Sequence, residues 1–140
     1  MRKKIKKLNP VEVLDKAGLS PTMQRVAVLR YLLLNEDHPT VKTIYQAVKK
    51  EIPTLSKTTV YNTLEAFKDS SLVITVSSES DEQHYDIGLA DHMHFVCRVC
   101  GDIYDMKPAQ LRIKSIMDGH KVEQHDITLR GICRNCRKNN

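Results

Sequence analysis

Two Cys-x-x-Cys pairs are the residues of this sequence best suited to hold a metal ion. Cys97 and Cys100 form the first pair, and Cys133 and Cys136 form the second. Four thiolates supply the closed tetrahedral shell of structural Zn²⁺, which leaves no position for water or substrate. The spacing therefore predicts a structural zinc site that ties the last strand of the C-terminal half to its first. A redox dithiol, a rubredoxin-like iron site and two pairs of free buried thiols are the alternatives.

A second group of candidate ligands consists of His92, His94 and Asp105. The two histidines lie on a predicted strand, where side chains two positions apart share one face. The turn at the first cysteine pair is expected to bring Asp105, on the next strand, alongside them. Imidazole and carboxylate ligands without sulfur suit Fe²⁺, Mn²⁺, Co²⁺ or Zn²⁺, and the affinity order of these metals does not select one of them.

One predicted helix has two faces of opposite character. It begins after the N-cap Ser56, and Val60, Leu64 and Phe67 form its apolar face. The opposite face carries hydroxyl, amide and basic groups near the N-terminal end, where a recognition helix contacts bases and phosphates. A solvated surface helix has the same pattern, so the neighbouring elements decide between the two interpretations. The candidate DNA-contacting residues are Lys57, Thr58, Thr59, Tyr61 and Asn62.

The elements around this helix predict a winged helix-turn-helix. Helix starts are expected at Asn9-Pro10, Ser20-Pro21 and Pro39-Thr40, because each pairs a capping residue with proline or precedes an apolar stripe. A β-hairpin is expected over residues 72–87. Residues 1–88 are therefore predicted to form a winged-helix DNA-binding domain.

The remainder, residues 89–140, is predicted to be a small α+β domain for dimerisation and metal binding. Strands are expected at 92–97, 102–106 and 121–133, and a helix at 108–118 that Gly119 ends. A unit of this size has little apolar core of its own, so it is expected to need bound metal and a second copy of the chain for stability. The predicted fold class is α+β.

Charge and hydropathy narrow the choice of compartment and partner. The 140 residues include 22 Lys and Arg against 17 Asp and Glu, a net charge of +5. The basic excess lies in the first 75 residues, which favours a polyanionic partner. No stretch approaches the roughly 18 apolar residues of a membrane span, and the basic start is too polar for a signal peptide. A cytoplasmic protein without membrane contact is expected, and in that reducing compartment disulfides are disfavoured.

Five motifs of the sequence occur together in one known family. They are His38-Pro39-Thr40, Ser56-x-x-Thr59-Val60-Tyr61-Asn62-x-Leu64, Tyr85-Asp86, Asp91-His92-x-His94-x-x-Cys97-x-x-Cys100-Gly101 and Cys133-x-x-Cys136. By these motifs the chain resembles, over residues 10–137, the ferric uptake regulator family of metal-dependent bacterial repressors. The resemblance implies a homodimer that binds double-stranded palindromic operator DNA.

The resemblance also implies two metal sites. It assigns the structural zinc to the four cysteines. It assigns a regulatory Fe²⁺ or Mn²⁺ to five ligands drawn from both predicted domains, so that bound metal would favour the conformation competent to bind DNA. The regulatory ligands are His38, Asp86, His92, His94 and Asp105.

Within the family, Asp at position 105, together with Asp86, resembles the peroxide-responsive branch. That branch implies Fe²⁺-dependent oxidation of His38 or His92 to 2-oxo-histidine by H₂O₂, followed by loss of metal and derepression. Control of iron, zinc or manganese uptake is the alternative within the family. His84, His120 and His125 have no assigned role.

Two alternatives belong to other classes. One is a mononuclear metal enzyme built on His92, His94 and Asp105, and the other is a zinc-ribbon adaptor that binds RNA. An enzyme needs an open metal position, a placed acid or base and a pocket, and it would leave the first ninety residues without a purpose. The adaptor would leave His38 and Asp86 without one. The sequence therefore predicts a repressor and no enzymatic activity.

Overall fold

The computed structural model describes residues 2–80, 82–89, 92–107, 116–123 and 125–139. The chain divides into two compact units, one of residues 1–77 and 81–90 and the other of residues 78–80 and 91–140. The elements are α1 (Arg2–Ile5), α2 (Pro10–Lys16), α3 (Met23–Leu34), α4 (Val41–Val48), α5 (Lys57–Asp69), β1 (Val73–Ser77), β2 (Gln83–Ile87), β3 (Met93–Cys97), β4 (Ile103–Met106), β5 (Ile116–Met117), β6 (His120–Lys121), β7 (Thr128–Gly131) and α6 (Arg134–Lys138). The prediction of an α+β fold is confirmed.

The core of the first unit lies between α3, α4 and α5. Helix α5 begins at the N-cap Ser56, whose side chain accepts a hydrogen bond from the backbone N–H of Thr59. Its predicted apolar face is buried, with Val60, Leu64 and Phe67 fully inaccessible to solvent. Burial of each of these side chains contributes about 1.5–3 kcal/mol to folding. Because this face is held by the core, the opposite face of α5 remains directed to solvent.

Helix α3 begins two residues later than predicted. Its N-cap is Thr22, which has an extended backbone and whose hydroxyl accepts from the N–H of Arg25. The carbonyl of Ser20 instead accepts from the N–H of Thr22 and from the guanidinium of Arg25. As a result, Met23 occupies the exposed first turn, with 71% of its surface accessible.

Strands β1 and β2 form the predicted hairpin, paired antiparallel from Val73↔Ile87 to Ser77↔Gln83. Gly88 follows β2, and its N–H donates to the carbonyl of Leu72. A Cβ at position 88 would lie 2.8 Å from the carbonyl oxygen of Ser71, so this close approach requires glycine. The order of three helices (α2, α3 and α4), the two-faced helix α5 and this hairpin is the one predicted for a winged helix.

The second unit is built on a three-stranded sheet in the order β4-β3-β7. The central strand β3 pairs antiparallel with β4 and parallel with β7. This arrangement places His94 directly opposite Asp105.

The single strand predicted at 121–133 was wrong. Strands β6 and β7 belong to different sheets, because β6 pairs with β5 across the turn at Asp118 and Gly119. Both turn residues have positive φ, +50° and +81°. This is the backbone that Asp-Gly favours in two-residue hairpins, so the dipeptide was a hairpin signal and not a helix end.

The prediction of a helix at 108–118 is wrong for residues 116–117, which form a strand. Residues 108–115 lie outside the described part of the chain. Among the helices of the described residues, none combines the length and the apolar character needed to cross a membrane.

Candidate metal centres and nucleic-acid interface

His38 and Asp86 form a buried pair in the first unit. His38 follows α3 in the loop of residues 35–40, and Asp86 lies on β2. The His38 Nε2 atom is 3.5 Å from Asp86 Oδ2, and each side chain is only 6% exposed. The other carboxylate oxygen, Oδ1, accepts the N–H of Ile87 at 2.8 Å. A buried carboxylate is costly unless it is paired, so this geometry is suited to a cationic partner.

Strand β2 and helix α3 hold the 35–40 loop from two sides. The imidazole Nδ1 of His84 lies 2.6 Å from the carbonyl oxygen of His38, and the N–H of Tyr85 donates to the carbonyl of Pro39 at 2.9 Å. On the α3 side, the hydroxyl of Tyr31 donates to Asp37 at 2.7 Å. Burial, with the Asp37 carboxylate next to it, raises the pKa of Tyr31, so the hydroxyl stays protonated as a donor.

In the second unit, His92, His94 and Asp105 meet at one point. The Nε2 atoms of the two histidines are 3.0 Å apart, and Asp105 Oδ1 lies 3.5 Å from His92 Nε2 and 3.6 Å from His94 Nε2. Ligand atoms about 2.1 Å from a common metal ion are roughly 3.0–3.4 Å apart at octahedral or tetrahedral angles. The three atoms thus have nearly the spacing of neighbours in one coordination shell.

The four cysteine thiols also converge in the second unit. Their Sγ atoms all lie within 4.8 Å of one another, and those of Cys100 and Cys133 are 3.9 Å apart. Tetrahedral Zn–S bonds of about 2.3 Å require S–S separations of about 3.8 Å. All four cysteines are free thiols. The first knuckle closes on Gly101, whose φ of +78° is a left-handed conformation that glycine adopts without strain.

Hydrogen bonds and burial shift the pKa values of these thiols in different directions. The N–H of Cys100, together with that of Cys133, lowers the pKa of Cys97 to about 6 in spite of burial. At Cys100 the N–H of Asp102 acts in the same direction, but burial and the hydrogen bond with Cys97 outweigh it and raise the pKa to about 12. Four clustered thiolates repel one another, so complete ionisation requires a bound cation. The donor set therefore fits Zn²⁺.

Four of the five predicted DNA-contacting residues are exposed on α5. The fifth, Thr59, is half-buried, and its hydroxyl lies 2.9 Å from that of Ser56 at the helix cap. Thr59 and Asn62 also line a polar cleft of about 380 Å³ between α5 and the start of α3. The exposed residues are Lys57, Thr58, Tyr61 and Asn62.

Sequence reasoning assigned no role to His84, which the structure places against the backbone of a candidate ligand. Its position two residues before Asp86 could have indicated this role, because alternate residues of a strand share a face. No local sequence pattern indicated the hydrogen bond from Tyr31 to Asp37, since Asp37 lies beyond the end of helix α3. His120 is exposed on β6.

Comparison with known proteins places this chain in a protein class. The model of the ferric uptake regulator family matches residues 16–130. The chain is 35% identical over 127 residues to the peroxide-responsive repressor PerR of Staphylococcus aureus, covering 88% of this chain and 86% of that protein. These matches define the class of the protein as the α+β regulators of transcription.

Solved structures agree with this class. The Campylobacter jejuni peroxide stress regulator superposes with a TM-score of 0.71 at 27% identity, over 89% of this chain and 94% of that one. The Pseudomonas aeruginosa ferric uptake regulator with manganese reaches 0.78 at 22% identity, over 91% and 99%, and supports the fold alone. The chain belongs to the ferric uptake regulator family.

Proposed function

We propose that this protein is a homodimeric, metal-dependent repressor that binds palindromic operator DNA and senses peroxide. The observation that carries the proposal is the presence of two sulfur-free ligand groups in addition to the four-cysteine group. His38 and Asp86 form one, and His92, His94 and Asp105 form the other. A zinc-ribbon adaptor has no use for the sulfur-free groups.

The two sulfur-free groups are proposed to bind one divalent cation together. The first offers two ligands and the second three, and neither alone completes the five or six positions that Fe²⁺ or Mn²⁺ takes with nitrogen and oxygen ligands. Since the groups belong to different units of the chain, shared metal would couple its own binding to the arrangement of the units. The four cysteines would hold structural Zn²⁺ separately.

Peroxide is proposed as the signal because the Staphylococcus aureus relative is a peroxide-responsive repressor and because an aspartate, rather than a glutamate, stands at position 105, together with Asp86. Bound Fe²⁺ would supply the electrons that activate H₂O₂. In the net reaction one peroxide oxygen is added to a ring carbon of His38 or His92, the other leaves as water, and the product is 2-oxo-histidine. The altered ring is a poorer ligand, which releases the metal and the DNA.

The decisive test compares Fe²⁺- and Mn²⁺-loaded protein. Both forms are expected to bind an AT-rich palindromic duplex in a metal-dependent manner, as measured by fluorescence anisotropy. Low H₂O₂ should abolish binding only for the Fe²⁺ form and add about 16 Da, one oxygen atom, to His38 or His92. Binding lost without modification of either histidine, as seen by peptide mass spectrometry, would indicate a pure metal sensor. No metal-dependent binding at all would remove the repressor proposal.

The exposed face of α5 is proposed to contact the operator, and two substitutions separate the kinds of contact. Lys57→Gln should weaken binding to operator and scrambled duplexes alike and reduce the salt dependence by about one phosphate contact per protomer. Asn62→Ala should cost about 1–3 kcal/mol for the operator only, as expected of a base contact. Lys138→Gln, the same charge change on α6, is the matched control. If Lys57→Gln behaves like this control, α5 does not face the phosphates.

A further inference from the structure

We propose that His84 is a positioning residue for the regulatory site and that it acts through a hydrogen bond to the backbone carbonyl of His38. The inference rests on the proposed role of His38 as a metal ligand. It assigns a function to a histidine outside the proposed set of metal ligands. The observation that carries it is the 2.6 Å separation between His84 Nδ1 and the His38 carbonyl oxygen.

The chemistry of this contact defines the donor. A carbonyl oxygen can only accept, so the proton of the hydrogen bond resides on His84 Nδ1. The next carbonyl along the loop, that of Pro39, accepts the backbone N–H of Tyr85 at 2.9 Å. Strand β2 therefore fixes two consecutive carbonyl groups of the loop, one through a side chain and one through its backbone.

The backbone of His38 explains why it needs this support. Its φ of +45° lies in the left-handed region, which is rare for residues other than glycine. The following residue is proline, which restricts the preceding residue further and favours an extended backbone. Residues in such conformations persist only when their surroundings hold them. If the donor at position 84 is lost, the peptide can rotate toward an ordinary conformation, and the imidazole of His38 then leaves Asp86.

The position of His84 on β2 makes the support local to the site. His84 and Asp86 are two residues apart on one strand and so share a face. This face supplies one proposed ligand, Asp86, and also sets the backbone of the other, His38. Other tethers of the loop, among them the hydrogen bond from Tyr31 to Asp37 and that from the Tyr85 N–H to the Pro39 carbonyl, do not involve the His84 side chain. Loss of the His84 donor should therefore disturb the ligand geometry and leave the fold intact.

The test uses three substitutions of His84 in the full-length, zinc-loaded protein. His84→Phe keeps a ring of similar bulk and removes the donor. His84→Asn keeps an N–H donor bonded to Cγ, as Nδ1 is, whereas His84→Gln places its N–H one bond farther out. Gln83→Ala, at the neighbouring exposed position of β2, is the matched control.

The measured quantity is the Mn²⁺ affinity of the regulatory site, obtained from the loss of the free Mn²⁺ signal in electron paramagnetic resonance. The Phe and Gln variants should bind Mn²⁺ about tenfold more weakly, a typical cost of losing a partner that orients a ligand. The Asn variant should stay near the wild-type affinity. In peroxide-treated Fe²⁺ protein, His84→Phe should also shift oxidation from His38 toward His92.

Three outcomes decide the matter. Wild-type Mn²⁺ affinity in His84→Phe, when His38→Ala does lose affinity, overturns the role of His84 and leaves the proposed regulatory site standing. An Asn variant as weak as the Phe variant also overturns it, since ring packing and not the hydrogen bond would then be responsible. Unchanged affinity in His38→Ala shows instead that the proposed regulatory site itself is wrong.

Discussion

Replacement of His38 by alanine is expected to abolish metal-activated operator binding while the dimer and its zinc remain intact. His38 is the only histidine among the ligand candidates of the first unit. Its Nε2 atom lies 3.5 Å from Asp86 Oδ2. If metal raises operator affinity 100-fold, the coupling between the two sites is about 2.7 kcal/mol, and all of it should disappear. Anisotropy titrations with and without Mn²⁺ measure this ratio, which should fall from about 100 to about 1.

The matched control is His120→Ala, which removes an exposed histidine of β6. It should keep the full response to Mn²⁺. Size-exclusion chromatography and zinc analysis of both variants test whether the dimer and its structural metal survive. A His38→Ala protein that still responds to Mn²⁺ would exclude any coupling of the two units by shared metal.

Removal of zinc is expected to unfold the second unit. Cys133 lies at the centre of the cluster, because its N–H donates to Cys97 Sγ at 3.3 Å and its own Sγ accepts the N–H of Cys136 at 3.5 Å. The small sheet β4-β3-β7 has few buried apolar side chains besides Met93 and Val96. Zinc binding, about 10 kcal/mol or more in comparable sites, would therefore supply much of the folding free energy.

Cys133→Ser, or treatment with a strong chelator, should abolish amide hydrogen-exchange protection in β3, β4 and β7. The helices of the first unit should keep their protection, because all four cysteines belong to the second unit. Asn135→Ser, an exposed change on the same helix α6, should leave both units protected. Full protection of the three strands in zinc-free protein would show that the thiols are not structural ligands.

Local periodicity accounts for what could be predicted of the second unit's site. His92 and His94 share a face because strand side chains alternate, and Asp105 follows because a short turn joins adjacent antiparallel strands. The structure places Asp105 opposite His94, as this reasoning expects. The two cysteine pairs were recognisable from their spacing for the same reason, since each pair lies within a single turn.

Local patterns were less reliable where two signals compete. Ser20-Pro21 has the composition of a helix start, yet Thr22 caps α3 because its hydroxyl reaches the N–H of Arg25. Gly119 is compatible with both a helix end and a hairpin turn. The antiparallel pairing of Met117 with His120, on either side of this turn, shows that the turn belongs to a hairpin.

Sequence by itself determined the metal-binding chemistry of this protein, because thiols and imidazoles at short, regular spacing need only a turn or a strand to come together. It did not determine how His38 meets Asp86. These residues come from distant segments, and their approach depends on a left-handed backbone at His38 that β2 holds by hydrogen bonds. Only the tertiary structure decides such a contact, since no local preference favours that conformation before proline.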